Sequence, residues 1–327
     1  MPARHRPRLW LVLPAAFLAL LVAIPSGLRI LPWQLPELAI SLLALLPWFV
    51  IPAAAALILA LCGRAKWLSA LCAILLLGQL FWLFPLDANR AEPCAAGSRI
   101  EIGSMSLNTR YGQADADRIV QLVRENRIGL LALQEFGGDL EKRLAAAGID
   151  QLLPHKITSQ VRGPGGSALY SKFPLEQLAP VANTPHEMVQ ARLRINEVSG
   201  LALEVTNVHT MIPGSATTAQ WRSDLKTLGQ LPSGENQRIL LGDFNASLDH
   251  QEFRELLTKA SLSDVASVNW KRIIPTFTPL AGLIPIVTLD HLAISPGLTA
   301  SDYTMQAVGG SDHSAVSARL SIPEKCG

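Results

Sequence analysis

Asp243 and Asn245 stand two residues apart in the stretch ILLGDFNASLD, directly after an apolar run that ends on Gly242. In an extended segment, residues two apart project to the same side. A carboxylate and a carboxamide therefore emerge together at the end of a buried strand, where a rigid scaffold holds reactive groups well. The carboxylate can bind a hard cation or take a proton from water. The amide can donate to a phosphate oxygen and accept from a water. A simple turn is the competing reading, because Asp and Asn favour turns.

Other apolar runs stop in the same way. SMSL ends at Asn108, LLAL at Gln134-Glu135, LEVTNV at His209 and VTL at Asp290-His291, while GGS delivers Asp312-His313 to the last strand. Singly, each has an ordinary explanation: a strand-end His or Asn is commonly a satisfied polar group, and a Glu can serve a helix N-terminus. Together they form a set of carboxylates, amides and imidazoles without a cysteine. Such a set suits Mg²⁺ or Mn²⁺ better than a soft metal.

The elements that must position these groups alternate between strand and helix patterns. Strands are expected at 99–107, 129–134, 167–171, 189–195, 201–208, 238–242, 287–294, 303–306 and 315–321, and helices at 114–126, 137–147, 216–231 and 251–260. The 114–126 segment has helical apolar spacing at Ile119, Leu122 and Val123, with Asp115 and Asp117 at its positive end. Many strands with interleaved helices predict an α/β protein with a sheet core flanked by helices.

Ahead of this part lie three apolar runs, Leu9–Ile24, Leu38–Cys62 and Trp67–Leu86, the last two free of Asp, Glu, Lys and Arg. Each approaches or exceeds the roughly 20 residues that a helix needs to cross a bilayer. A cleaved signal peptide is the alternative for the first, but two further runs follow and no A-x-A site is clear. The expected organisation is a membrane region over 1–87 with three transmembrane helices, a connector over 88–97 and a soluble domain over 98–327. Arg4, Arg6 and Arg8 precede the first run, and Arg64 and Lys66 join the second to the third. The positive-inside rule places both segments in the cytoplasm, so the soluble domain is expected outside the cytoplasm on a multi-pass plasma-membrane protein. Cys94 and Cys326 flank that domain. An oxidising compartment would permit a disulfide between them; two unrelated thiols are the alternative.

From about Ser98 to Ser321 the chain resembles the endonuclease/exonuclease/phosphatase superfamily. The matching segments run in family order: SLNTR, LLALQEF, GGSALYSKFPL, VTNVHT, LLGDFNA, PTFTP, LDHLAIS and GGSDHSAV. LQE or SDH alone would mean little; the ordered set is specific. The resemblance implies a four-layered α/β sandwich with a pseudo-twofold core and a metal at one end of the sheets. It implies Glu135 as the principal Mg²⁺ ligand, with Asn108 assisting at the metal or the phosphate and Asp312 completing the metal environment. Asp243 would orient or deprotonate the attacking water, and Asn245 would hold the phosphate or that water. His313, paired with Asp290, would contact phosphoryl oxygens, and His209 would donate to one or protonate the leaving group. His291 adjoins a matched aspartate but falls outside this set.

The substrate is less constrained. Lys and Arg total 28 against 26 Asp and Glu, a formal net charge of +2, and there is no Lys/Arg run. That balance does not favour tight non-specific binding of nucleic acid. With the apolar N-terminal region, it favours a phosphodiesterase or phosphatase acting on a lipid or lipid-linked phosphoester. The apolar stretch 279–285 before Asp290 could lean on lipid, or simply pack in the core. An extracytoplasmic nuclease and a catalytically inactive binding or scaffold domain are the alternatives.

Overall fold

The computed structural model describes residues 7–31, 34–84, 98–161, 163–196, 198, 200–232, 234, 236–278 and 286–324. The chain divides into two compact units, residues 1–87 with 249–251 and residues 88–248 with 252–327. Cys94, Cys326 and the apolar stretch 279–285 lie outside the described residues.

The first unit contains α1 (Leu9–Ile30), α2 (Glu37–Ala44), a 3-10 turn (Leu46–Phe49), α3 (Val50–Cys62) and α4 (Lys66–Leu83). α1 and α4 are long and apolar enough to cross a membrane, with mean hydropathies of 2.3 and 1.6. The single helix expected over 38–62 is instead two helices bent by 63°, which pass the same test only as a pair. Pro47 accounts for the break: it has no N–H to donate, and its ring opposes the carbonyl four residues back. The unit therefore has two candidate spans, or three if the bent pair counts as one. Ala15, Ala19, Ala56, Ala60 and Cys72 pack together in its interior, as small residues do where membrane helices approach closely. The buried Gln79 amide donates to Ser26 Oγ at 2.9 Å, and that hydroxyl donates to the Val22 carbonyl. Trp10, Leu38 and Trp67 face outward.

In the second unit the strands are β1 (Arg99–Asn108), β2 (Ile128–Gln134), β3 (His155–Ser159), β4 (Ser167–Ser171), β5 (Leu175–Gln177) and β6 (Gln190–Asn196). They continue with β7 (Leu201–His209), β8 (Gln237–Asp243), β9 (Ser263–Asp264), β10 (Asp290–Ile294), β11 (Thr299–Ala307) and β12 (Ser314–Pro323). The helices are α5 (Ala116–Glu125), α6 (Gly138–Ala147), α7 (Ile149–Leu152), α8 (Thr218–Gly229), α9 (Gln251–Lys259) and α10 (Val265–Val268). One six-stranded sheet has the order β11-β12-β1-β2-β4-β3 and the other β5-β6-β7-β8-β10-β9. Each has one parallel pair near its centre, β1 with β2 and β7 with β8, flanked by antiparallel neighbours.

Strand alternation sorts the core. On β2, Leu130 and Ala132 join Val205, Ile239, Leu241 and Leu292 of the other sheet in an inter-sheet core. Leu131 and Leu133 point the opposite way, to Ile119, Leu122, Val123, Leu140 and Leu144 of α5 and α6. A strand buried on both faces must be apolar throughout, which is why LLAL shows no polar alternation. On β10, Leu292 faces the inter-sheet core, so His291 faces away, where the Phe253 ring of α9 lies 4.5 Å from it. Helix, sheet, sheet and helix thus make the α/β sandwich.

This topology gathers the polar strand ends. β1 and β2 finish side by side, as do β7 and β8. β10 runs against β8, so its first residue, Asp290, pairs with the last residue of β8, Asp243. Asp290 therefore opens a strand rather than ending one: the strand expected from Val287 begins at Asp290, and Val287 forms an isolated bridge to Phe277. β12 runs against β1, and His313 stands just before it.

Candidate active site

Asn108 is the hinge of the cluster. Its amide nitrogen donates to Glu135 Oε1 at 3.1 Å and to Asp243 Oδ2 at 3.1 Å. Its Oδ1 accepts from the Arg110 N–H at 3.0 Å, which fixes which way the amide faces. One side chain from the end of β1 thus ties a carboxylate beside the first sheet to a carboxylate of the second. Glu135 Oε2 also accepts from the Tyr111 N–H at 2.9 Å. Glu135 itself has φ +51° and Asn245 φ +44°. Such left-handed positions cost non-glycine residues about 1–3 kcal/mol each and persist where the surroundings over-determine them.

Asp243 is buried and accepts from the Asn245 N–H through Oδ1 at 2.8 Å. Burial raises its carboxyl pKa, with Asp290 adding to the rise and His313 opposing it. His313 Nδ1 lies 2.9 Å from Asp290 Oδ2, and its Nε2 lies 3.6 Å from Asp243 Oδ2. Burial works against the imidazolium of His313, but the Asp290 and Asp243 carboxylates override it and raise its pKa. Thr276 donates to the same Asp290 Oδ2 at 2.6 Å, while Asp290 Oδ1 is buried without a hydrogen-bond partner among the described residues.

His209 is buried at the end of β7, with Nε2 3.9 Å from Glu135 Oε1. Burial, followed by the neighbouring His186 and His313, lowers its pKa well below the ordinary histidine value. Asn245 donates from Nδ2 to the Thr210 carbonyl at 3.0 Å. A carbonyl can only accept, so that bond fixes which way the amide faces and leaves Oδ1 and the second N–H of Nδ2 for a ligand: Asn245 can accept from a water and donate to a phosphate oxygen. Asp312 is more exposed and pairs with Arg110 Nε at 3.7 Å. Asn108, Glu135, His209, Asp243, Asp290 and His313 thus form one connected cluster, with Asn245 joined through Asp243. Asp312 enters through Arg110.

Two glycines let the backbones approach this closely. A Cβ on Gly166 would lie 1.9 Å from the Phe136 carbonyl oxygen, and one on Gly310, at φ +84°, 2.2 Å from that of Gln113.

A family comparison bears directly on this geometry. The sequence profile of the Endonuclease/Exonuclease/phosphatase family matches residues 105–313, a span that contains every residue of the cluster. The chain belongs to that family. Its members are metal-dependent phosphoesterases and nucleases, and this chain is a phosphoric ester hydrolase of that group. Solved structures share the fold. An AP endonuclease from Archaeoglobus fulgidus is 18% identical, covering 66% of this chain and 98% of its own, with a TM-score of 0.52. A 3′ phosphatase from Neisseria, bound to a product DNA hairpin, is 16% identical over 66% of this chain and 98% of its own, with a TM-score of 0.53. Beta toxin from Staphylococcus aureus with bound magnesium ions is 16% identical over 67% and 99%, with a TM-score of 0.51. No curated protein matches the chain by sequence.

The family's divalent metal fits the residues present. Among the described residues, no Lys or Arg pairs with Glu135, Asp243 or Asp290, so their charge lacks a permanent cationic partner. Asp243, Asp290 and His313 place ligand atoms within 4.8 Å of one another. In that trio, however, His313 already pairs with both carboxylates, which makes it a histidine–aspartate system rather than an open cage. Glu135 is oriented by two N–H donors and is the better anchor for a cation.

Several contributors were not evident in the sequence. Thr276 orients Asp290. Gln134 Nε2 donates to Asn207 Oδ1 at 2.6 Å, and Asn207 Nδ2 donates to the Leu133 and Ala168 carbonyls and to Ser167 Oγ. That buried network joins the two sheets directly beneath Glu135 and His209. The N-x-H spacing of Asn207 and His209, two apart on one strand, is the signal that could have found it.

Proposed function

We propose that the chain is a membrane-anchored phosphoesterase that uses Mg²⁺ or Mn²⁺ to hydrolyse a phosphodiester or phosphomonoester on a lipid or lipid-linked substrate at the outer face of the plasma membrane. The observation that carries the chemistry is the Asn108 amide held between Glu135 and Asp243, with the His313–Asp290 pair facing the same carboxylate.

Glu135 would hold the cation, with Asp312 as a further carboxylate of the set, while Asn108, whose amide nitrogen faces Glu135 and Asp243, would assist at the phosphate. When bound, such an ion neutralises phosphoryl charge and makes water a better nucleophile. Asp243, made more basic by burial, takes the proton of the attacking water, and Asn245 Oδ1 accepts from that water and orients it. His313, kept protonated by Asp290, donates to a non-bridging oxygen as charge develops there. His209 donates to a second oxygen or to the leaving group.

The lipid assignment rests on the apolar helices α1 and α4 and on the balanced charge, neither of which favours a long polyanion. The test incubates the detergent-purified full chain with phospholipid, lipid-linked, nucleotide and DNA phosphoesters and Mg²⁺. Release from a lipid substrate, abolished by EDTA and restored by Mg²⁺ or Mn²⁺, is expected. Turnover of DNA alone would favour the nuclease reading, and full activity in EDTA would reject the metal.

A further inference from the structure

His186 lies in the loop between β5 and β6, outside every segment that carries the family resemblance. Its ring stacks on that of His209, with centroids 4.0 Å apart and planes inclined by 24°. The two histidines on either side of the cluster are held very differently. His313 has its Nδ1 fixed by the Asp290 carboxylate at 2.9 Å. His209 has no such bond: its Nδ1 is buried without a hydrogen-bond partner among the described residues. The Pro164 carbonyl near the ring is its other polar neighbour. A reactive imidazole normally owes its orientation to the hydrogen bond made by its second nitrogen. At His209 the Pro164 carbonyl stands in that role outside strict hydrogen-bonding geometry, and a flat ring covers the imidazole's face.

The stacked ring is itself braced. Thr184 Oγ1 lies 2.9 Å from the His186 carbonyl oxygen and 3.1 Å from that of Val181. The Val181 N–H donates to the Met188 carbonyl across the base of the loop. Glu187 N–H donates to Gly165 O, and the next residue, Gly166, accepts from the Phe136 N–H beside Glu135. The loop that presents His186 is therefore tied to the backbone that presents Glu135. His186 Nδ1 lacks a hydrogen-bond partner among the described residues, while the His209 and Thr210 backbone acts on the ring as a hydrogen-bond acceptor, so His186 is held against the end of β7 and presents its ring face to His209.

We propose that His186 is a positioning residue: its ring sets the plane of the His209 imidazole and so directs Nε2 towards Glu135 and the reacting phosphoryl group. The inference rests on the phosphoesterase reading for its kinetic consequence and on geometry alone for the stack. Offset-stacked rings contribute beyond simple burial, and a small misplacement of a reacting group has large kinetic effects.

The test compares His186→Leu, which fills the space without a flat face, with His186→Phe, which keeps the face and removes both nitrogens. Full-length protein in detergent hydrolyses bis(p-nitrophenyl) phosphate with Mg²⁺, and ¹⁵N-histidine spectra follow the His209 ring, assigned by its loss in His209→Gln. In His186→Leu, kcat falls by about tenfold to a hundredfold with KM little changed, and the His209 ring signals broaden or double. In His186→Phe, most of kcat and the single sharp signals return. Wild-type kinetics and spectra in His186→Leu would overturn the proposal, as would a His186→Phe variant as impaired as His186→Leu. If wild-type protein does not hydrolyse the substrate, the phosphoesterase reading is at fault, while the ring signals still decide the stack.

Discussion

His313 Nδ1 stands 2.9 Å from Asp290 Oδ2, an oxygen that also accepts the Thr276 hydroxyl at 2.6 Å. Two donors on one oxygen fix the carboxylate, and the carboxylate fixes the imidazole with Nε2 towards Asp243. His313→Ala and Asp243→Asn should each lower turnover by at least about a hundredfold. Both variants should keep the circular dichroism of the wild type, since neither side chain belongs to the apolar core. Near-normal kcat in a folded variant would remove that residue from the mechanism.

Gly166→Ala tests how tightly the Glu135 segment is seated. The new Cβ would lie 1.9 Å from the Phe136 carbonyl oxygen, so Phe136 and with it Glu135 must move. A loss of at least about 2 kcal/mol is expected, together with loss of activity. Gly309→Ala, where an added Cβ meets nothing closer than 3.9 Å, is the matched control and should behave as wild type. Thermal midpoints of the two variants decide the point.

Asn207 joins the sheets from a fully buried position. Asn207→Leu would remove the side-chain donor to the Leu133 and Ala168 carbonyls and to Ser167 Oγ, while Gln134 keeps its bond to Ser106 Oγ. Each buried polar group so stranded costs about 1–3 kcal/mol. A fall of roughly 6–12 °C in the thermal midpoint is expected for a loss near 3 kcal/mol in a domain of this size. An unchanged midpoint would mean that the network contributes nothing net.

His291 gives a pH dependence with a definite sign. Its Nδ1 lies 2.9 Å from Asp264 Oδ1 and its Nε2 2.9 Å from the Ala246 carbonyl oxygen. Both partners accept, so the ring satisfies both only as an imidazolium. Burial opposes that charge, but Asp264 overrides it and raises the pKa above the ordinary value. A raised folded-state pKa gives stability that is complete below the unfolded value, about 6.5, and is lost as pH climbs through the folded value. The thermal midpoint should therefore fall on the alkaline side of neutrality. His291→Gln should start lower and vary less with pH; an identical pH profile would sink the assignment.

Thiol labelling tests the disulfide expected between Cys94 and Cys326 if the catalytic unit lies outside the cytoplasm. Unreduced, unfolded protein should label at Cys62 and Cys72 only, and at Cys94 and Cys326 after reduction. Labelling of all the cysteines without reductant would reject the disulfide.

The positions of most buried strands and their polar ends were legible because each such strand is an apolar run that stops abruptly at a chemical group. LLAL before Glu135 and ILLG before Asp243 are of this kind. Strand β3, HKITS, was missed because it is only partly buried and shows no apolar run. β9 is two residues long, too short for any period to register. The start of β10 was misplaced because Val287 and Leu289 extend its apolar pattern through a segment that bridges to Phe277 instead. His186 was invisible for a different reason. It lies in a loop without periodicity, and its significance comes from a ring that is 23 residues away in the chain and stacked on it in space.

The pairing of β1 with β12 has a consequence for how this protein is made. Arg99 registers with Pro323 and Ser106 with Val316, so the strand that carries Asn108 takes one of its two neighbours from the far end of the domain. Until that last segment has left the ribosome, β1 presents an unpaired edge of backbone groups, a ready template for pairing with other chains. Its closure waits on contacts of long sequence separation, which form slowly. The nascent chain must therefore be kept from wrong partners from the emergence of β1 until that of β12, and a stop codon ahead of β12 would yield an aggregating species rather than a smaller enzyme.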